Sequence, residues 1–362
     1  MPIQRVSVIA PMRNEARHIE QFIADLAAQD FAGELEVLVA DGGSTDGSVS
    51  KLRSAAERRG LPVTVLDNPR RWVSHGLNAC IRAAGGDLVV RADCHSRYPS
   101  DYVRRCVAAA EETAAENVGG VFVPAGSTPT ERAVGCAMNS AFGGVHWTRH
   151  GGRGRVETDT VPYGAYRPEV FERIGLFDET LVRNQDDDFN LRLRRAGGRI
   201  VLDPSIRIYY TPRGSFRRLF GQYYEYGLWK PAVMRKHGRV VSARSLVPGA
   251  FVASVAVLVA AAPWSRGARR VLRAEGAIYA AGALGFGVAA LRRCREDGAL
   301  LPRVLAAFPT MHAAYGVGML AGIARVAVGA RGGRERNLRV VEGHREIAHP
   351  GRLPLGLDHE PE

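Results

Sequence analysis

Cysteine is sparse in this chain: five residues in 362, at Cys80, Cys94, Cys106, Cys136 and Cys294. They are odd in number, widely spaced and never in a CxxC pair. That argues against a disulfide scaffold or zinc ribbon and sets an expectation of reduced thiols facing the cytosol. The opening residues MPIQRVSVIAP lack the apolar core and cleavage site of a signal peptide and read as the start of a strand. No internal repeat or low-complexity tract is present, and the lack of a GxGxxG fingerprint makes a dehydrogenase a poor reading. Acidic residues thin out in one place. Between residues 235 and 339 there are 17 Arg and Lys against 4 Asp and Glu, so the net charge of +12 resides in this segment. With 46% hydrophobic and 24% charged residues, the chain as a whole has the composition of a folded protein.

The basic segment also holds the longest uncharged stretches, 245–265, 276–291 and 304–324. Crossing a bilayer takes about 20 apolar residues, so the first and third are long enough and the second is marginal. A buried helical subdomain would have a similar Ala/Gly-rich composition. Arg266, Arg269, Arg270 and Arg273, then Arg292, Arg293 and Arg295, crowd the ends of the stretches, where snorkelling side chains belong, and favour a membrane. Basic residues that flank apolar spans form no continuous polar groove, so no nucleic acid is expected as a partner.

The first ~125 residues alternate strand and helix. Runs at 6–10, 36–40, 63–66, 88–92 and 118–123 are almost wholly apolar, as strands covered on both faces should be. Ile19, Phe22, Ile23 and Leu26 repeat with helical spacing, and further helical patterns end at Gly60 and Gly85-Gly86. Residues 126–160 read as a loop-rich connection. A helix follows over 188–196, then strands at 199–202 and 206–209 and an aromatic amphipathic helix over 215–237. Strand–helix alternation implies a mostly parallel sheet, with ligands at the carboxyl ends of its strands.

Carboxylates fall at those ends. Asp41 opens Asp41-Gly-Gly-Ser-Thr-Asp-Gly-Ser, a turn that lets backbone approach a ligand; taken alone, it is equally an ordinary strand-to-helix loop. Asp93-Cys-His95 places a carboxylate and an imidazole at i and i+2, suited to one Mn²⁺ or Mg²⁺, and equally to a solvated turn. In Gln185-Asp186-Asp187-Asp188, one member serves as helix N-cap, with Asp188 the candidate. Three adjacent acids exceed that need, and the excess reads as a general base or a metal-facing site. Gln222-Tyr-Tyr-Glu225-Tyr226-Gly-Leu-Trp229-Lys230 offers aromatic platforms beside a carboxylate and a cation, for a sugar, a base or a membrane interface.

Taken in order, Val6-Ser-Val-Ile-Ala-Pro-Met-Arg-Asn14-Glu15, the Asp41 turn, Gly85-Gly86-Asp87 with Arg91-Ala-Asp93, the Asp186–Asp188 cluster and the Gln222 to Trp229 stretch resemble glycosyltransferase family two over residues 4–235. The DxH form of the metal motif, the acidic cluster and His312-Ala-Ala-Tyr315-Gly316-Val-Gly318 are similar to membrane-bound succinoglycan-type exopolysaccharide glucosyltransferases. The resemblance implies an α/β GT-A nucleotide-diphospho-sugar transferase fold and an inverting mechanism. The expected division is a transferase domain over 1–235, a membrane-associated region of two or three apolar helices over 236–330, and a polar tail over 331–362. The donor site is drawn from Pro11, Asn14, Glu15, Asp41, Gly42, Asn78 and Asp93, and the metal site from Asp93 and His95. Asp186 is the catalytic base, and Asp187, Asp188, Gln222, Glu225, Tyr226 and Trp229 form the acceptor side. A divalent cation, Mn²⁺ or Mg²⁺, and a UDP-sugar are the implied cofactor and donor. The implied acceptor is a polyprenyl-diphosphate-linked saccharide at the cytoplasmic face of the cell membrane, with glucose the first candidate sugar. A polyprenyl-phosphate sugar synthase and a non-catalytic nucleotide-sugar-binding subunit of an assembly complex are the alternatives.

Overall fold

A computed structural model describes residues 2–143, 154–238, 240 and 243–331; the expected polar tail therefore falls outside the described residues from position 332 on, as does the GGVHW/RHGGRGR stretch at 144–153. In chain order the elements are β1 (Arg5–Met12), α1 (Ile19–Ala27), β2 (Glu34–Asp41), α2 (Ser48–Arg59), β3 (Val63–Asp67), α3 (Val73–Ala83), β4 (Leu88–Arg91), β5 (Ser96–Arg97), α4 (Tyr102–Thr113) and β6 (Asn117–Pro124). They continue with α5 (Pro129–Met138), β7 (Val156–Glu157), β8 (Ala165–Tyr166), α6 (Glu169–Ile174), α7 (Gln185–Arg195), β9 (Ile200–Tyr210), α8 (Phe216–His237), α9 (Val247–Ala261), α10 (Arg266–Cys294) and α11 (Leu301–Arg331).

One nine-stranded sheet runs β3-β2-β1-β4-β8-β6-β9-β5, with β7 on β9. Its first four strands are parallel, whereas short β8 pairs antiparallel with both β4 and β6, so the sheet is mixed. Both faces are covered. Val6, Val8 and Ala10 of β1 pack on one side with Phe22 and Leu26 of α1, and Ile9 packs on the other with Leu77 and Ile81 of α3. Each such side chain taken fully out of water contributes about 1.5–3 kcal/mol, which explains the unbroken apolar runs. β1 has β2 on one side and β4 on the other, and a crevice opens beyond the carboxyl ends at such a switch point.

Two expectations give way. The two strands foreseen around Asp203-Pro204-Ser205 are one continuous β9, whose irregularity is absorbed by a register shift against β6 between Gly119 and Val121. Gly120 there lies against the Ile206 carbonyl, where no side chain would fit. The loop-rich connection contains α5, begun by a Thr128–Glu131 capping box with Pro129 in its first turn. The thiol expectation also changes: Cys136 of α5 and Cys294 of α10 form a disulfide, while Cys80, Cys94 and Cys106 are free and buried.

The C-terminal helices pack beside the sheet. Ala133 and Ala137 of α5, Leu219 of α8, Ala290 of α10 and Phe308 and Met311 of α11 share a third core. α8 and α11 form the most extensive helix pair. Gly227 of α8 lies on the Tyr315 carbonyl, and Gly318 and Gly322 of α11 lie on the Tyr224 and Leu228 carbonyls, so the two backbones approach closer than side chains would permit. Three segments, Ala243–Ala261, Arg266–Cys294 and Gly298–Val328, are long and apolar enough to cross a membrane. By that length and composition this is a membrane protein.

Candidate functional site

The carboxyl ends of β1 and β2 are tied together by the Gly42 amide, which donates to the Met12 carbonyl at 2.8 Å. Asp41, the last residue of β2, folds its carboxylate back onto the Gly43 and Ser44 amides at 3.2 and 3.1 Å. Opposite it, Asn14 takes the left-handed backbone that asparagine tolerates, donates to Ser44 Oγ at 2.9 Å and accepts from the Thr45 amide at 2.8 Å. The Glu15 amide donates to Ser48 Oγ at 2.8 Å, and Pro11 stands in register with Ala40. Pro11, Asn14, Glu15, Asp41 and Gly42 therefore meet, as expected from the sequence.

Two arginines flank this turn that sequence reasoning did not assign. Arg13 packs against Gly42 and Arg71 against Gly43. Burial and the like charge of Arg71 hold the Arg13 guanidinium below its ordinary pKa, with Asp41 partly offsetting them. Arg13 Nε and Asn68 Oδ1 are buried without a hydrogen-bond partner among the described residues. Buried polar atoms rarely stay unpaired, so this corner suits a polar ligand such as a base or ribose. Asn78 is the exception among the donor-site expectations. Its amide is consumed by the Phe177 carbonyl and Glu179 Oε1, each at 2.9 Å, and by the Phe177 amide at 3.0 Å, so it ties α3 to the segment before α7 and faces no ligand.

Beyond β4, the Asp93 carboxylate is gripped by Arg91, Nε to Oδ1 at 3.1 Å and Nη2 to Oδ2 at 3.3 Å. Burial pushes the Asp93 carboxyl up, but the Arg91 and His95 charges outweigh it and hold the group below the usual carboxylate range. His95 Nδ1 lies 3.0 Å from Glu15 Oε1, with half of the side chain exposed. Burial lowers the imidazole's pKa; the Glu15 hydrogen bond and Asp93 more than reverse that, and the net direction is upward. Among the described residues no three His, Cys, Asp or Glu side chains converge as a self-sufficient metal cage. One carboxylate and one imidazole fit a cation that takes its remaining ligands from a diphosphate and water.

The acidic cluster divides into three roles. Asn184, in left-handed conformation, is the N-cap of α7, so the expected cap, Asp188, lies within the helix. Asp188 is fully buried and paired with Arg192 at 2.9 Å, Lys236 at 2.7 Å and His237 at 2.8 Å; it fastens α7 to α8 and does not face an acceptor. Asp187 is paired with Lys230 at 2.6 Å. Asp186 Oδ1 accepts from the Asp187 amide at 3.2 Å. Burial and the Asp187 charge raise its pKa, with Arg91 and Lys230 opposing. Arg91 is thus bonded to Asp93, and its charge also acts on Asp186.

On α8, Gln222 Nε2 donates to the Tyr226 hydroxyl at 2.9 Å, Glu225 pairs with Arg183 at 2.9 Å, and Asn184 Nδ2 reaches the Tyr226 carbonyl at 3.2 Å. Gln222, Glu225 and Tyr226 therefore border the start of α7. Trp229 turns toward α11, its ring 5.0 Å from the Arg325 guanidinium. Arg91 and Lys230 were visible in the motifs but unassigned; buried cations inside acidic motifs are the signal that marks them.

A sequence model of the family "Glycosyl transferase family 2" matches residues 7–173. "Succinoglycan biosynthesis protein ExoA" of Rhizobium meliloti (strain 1021) is 32% identical over 326 residues, 86% of this chain and 92% of that protein. A dolichyl N-acetyl-alpha-D-glucosaminyl phosphate 3-beta-D-2,3-diacetamido-2,3-dideoxy-beta-D-glucuronosyltransferase of Methanococcus voltae is 24% identical over 64% of this chain and 74% of its own length. Among solved structures, the mannosyltransferase PcManGT of Pyrobaculum calidifontis, in complex with GDP-Man and Mn²⁺, superposes with a TM-score of 0.62 at 22% identity, covering 89% of this chain and 88% of that one. That likeness carries the fold, and the GT-A expectation stands.

Proposed function

The chain belongs to glycosyl transferase family 2 and is a glycosyltransferase; from that premise we propose that it moves a sugar, glucose first among the candidates, from a UDP-sugar to a polyprenyl-diphosphate-linked saccharide with inversion. The observation that carries this reading is the continuity of one rim: the Asp41 turn is bonded to Asn14 and Glu15, Glu15 lies against His95, and Arg91 is bonded to Asp93 while its charge acts on Asp186. The M. voltae relative, whose name specifies a lipid-linked saccharide acceptor, and the succinoglycan relative support the acceptor class. The three apolar helices support a site at the membrane; its placement on the cytoplasmic face is part of the proposal.

In this mechanism the Asp41 turn, Asn14, Gly42 and Pro11 hold the nucleoside, and Arg13 and Arg71 offset the negative charge of the diphosphate attached to it. Asp93 and His95 would hold a divalent cation, which when bound supplies electrophilic stabilisation of the departing diphosphate. Asp186 takes the proton from the acceptor hydroxyl as that oxygen attacks the anomeric carbon. Its raised pKa suits the task, because a carboxylate closer to neutrality is a stronger base. Gln222, Glu225 and Tyr226 line the acceptor side with the Asp187–Lys230 pair, while Trp229, expected there from the sequence, packs on Arg325 of α11 instead.

A screen of radiolabelled UDP-sugars against membranes containing the full chain, with lipid-linked saccharide or bare lipid phosphate added, tests the reading. UDP release coupled to extension of the lipid-linked saccharide, abolished by EDTA and restored by Mn²⁺ or Mg²⁺, is the expected result. Transfer to bare lipid phosphate alone would make the protein a polyprenyl-phosphate sugar synthase, and release from none of the UDP-sugars would overturn the donor assignment.

A further inference from the structure

The carboxylate beside the proposed base is held by a cation whose own place is set outside the sheet. Lys230 Nζ meets Asp187 Oδ2 at 2.6 Å, and only 13% of the lysine side chain is exposed. Lys230 stands three residues beyond Gly227, where the α11 backbone at Tyr315 presses on α8. The Tyr315 hydroxyl is hydrogen-bonded to Ser245 and sits near enough to Lys230 and Asp187 for their charges to act on it. Gly318 and Gly322 fix the next turns of α11 against α8.

We propose that Lys230 is a positioning residue, braced by α11, that pins Asp187 and leaves Asp186 as the one carboxylate of the pair turned to the acceptor. The proposal rests on the reading of Asp186 as the base. Among the described residues, the charged and titratable groups that act most strongly on Asp186 are Asp187 on its own helix, Arg91 from β4 and Lys230 from α8, with Tyr166 of β8 also within reach of its charge. Arg91 is shared with Asp93, so Lys230 is the cation committed to the acidic pair. Without it, Asp187 becomes an uncompensated anion beside Asp186, and a like charge at close range favours the protonated form.

Infrared titration of the detergent-solubilised full chain tests this without a substrate. The difference between wild type and Asp186→Asn isolates the Asp186 carboxyl band, and the same difference is recorded in Lys230→Met, Lys230→Arg and Asp187→Asn backgrounds. Lys230→Met should raise the Asp186 midpoint by about one pH unit and Asp187→Asn should lower it by a similar amount, while Lys230→Arg leaves it near wild type. An unchanged midpoint in Lys230→Met overturns the proposal. If Lys230→Met does not accumulate, the Asp187→Asn shift decides, and its absence overturns the proposal equally. Turnover of Asp186→Asn is read separately: wild-type turnover would dismiss Asp186 as the base, whatever the infrared midpoints show.

Discussion

The donor rim and the acceptor rim of the crevice are built by opposite means. On the donor rim, residues 11–15 and 41–48 form two short loops that hold each other through local hydrogen bonds, Asn14 to Ser44 and Thr45, Glu15 to Ser48, Asp41 to its own turn. On the acceptor rim the carboxylates are held by ion pairs between α8 and the α7 region, Asp187 with Lys230, Asp188 with Lys236 and His237 and Glu225 with Arg183, beside the one pair within α7, Asp188 with Arg192. The first rim is a property of the sheet. The second exists only where α8 is seated on α11, through Gly227, Gly318 and Gly322. Changes to the donor rim should therefore alter recognition of one ligand, whereas changes to the acceptor rim should alter the alignment of whole helices.

The sharpest break of this contrast is Asp186→Asn. Turnover should fall by about 10²–10⁴-fold while donor affinity, read by equilibrium binding of the UDP-sugar, stays nearly unchanged. A parallel loss of donor affinity would mean that the two rims are one unit. Next in size is Gly318→Leu, which forces a side chain into the Tyr224 backbone. It should cost about 1–3 kcal/mol in a denaturation experiment and lower turnover while leaving the donor KM in place. Asp41→Ala should do the reverse: loss of the turn's hydrogen bonds raises the donor KM by about tenfold, with kcat retained. The smallest effect is Thr128→Ala, which removes the α5 capping box; a shift in thermal midpoint equivalent to about 1 kcal/mol and unaltered kinetics are expected.

The same contrast explains what the sequence disclosed. The strands of the sheet and the donor turns were legible because their determinants are contiguous: unbroken apolar runs for β1 to β4, and a Gly/Ser/Asp turn right after β2. The three acids of α7 could not be told apart by spacing, since their roles are assigned by residues more than 40 positions away on α8. Asp188, expected as a cap, is drawn into the helix by Arg192, Lys236 and His237, leaving the cap to Asn184. Asn78 gave no local sign that Phe177 and Glu179 would consume its amide. α5 was hidden among glycines and prolines, although its Thr128-x-x-Glu131 signature was in plain sight. The pairing of Cys136 with Cys294 spans 158 positions, beyond the reach of any spacing rule.

The interlocked seam between α8 and α11 has a practical corollary for handling the protein. Trimming the chain after His237 to gain a soluble fragment would strip the support from Gly227, Leu228 and Lys230 together. Such a fragment would keep the interlocked turns at residues 11–15 and 41–48 while the Asp186–Asp188 cluster drifted out of alignment, so biochemistry on this enzyme belongs in detergent, nanodiscs or native vesicles.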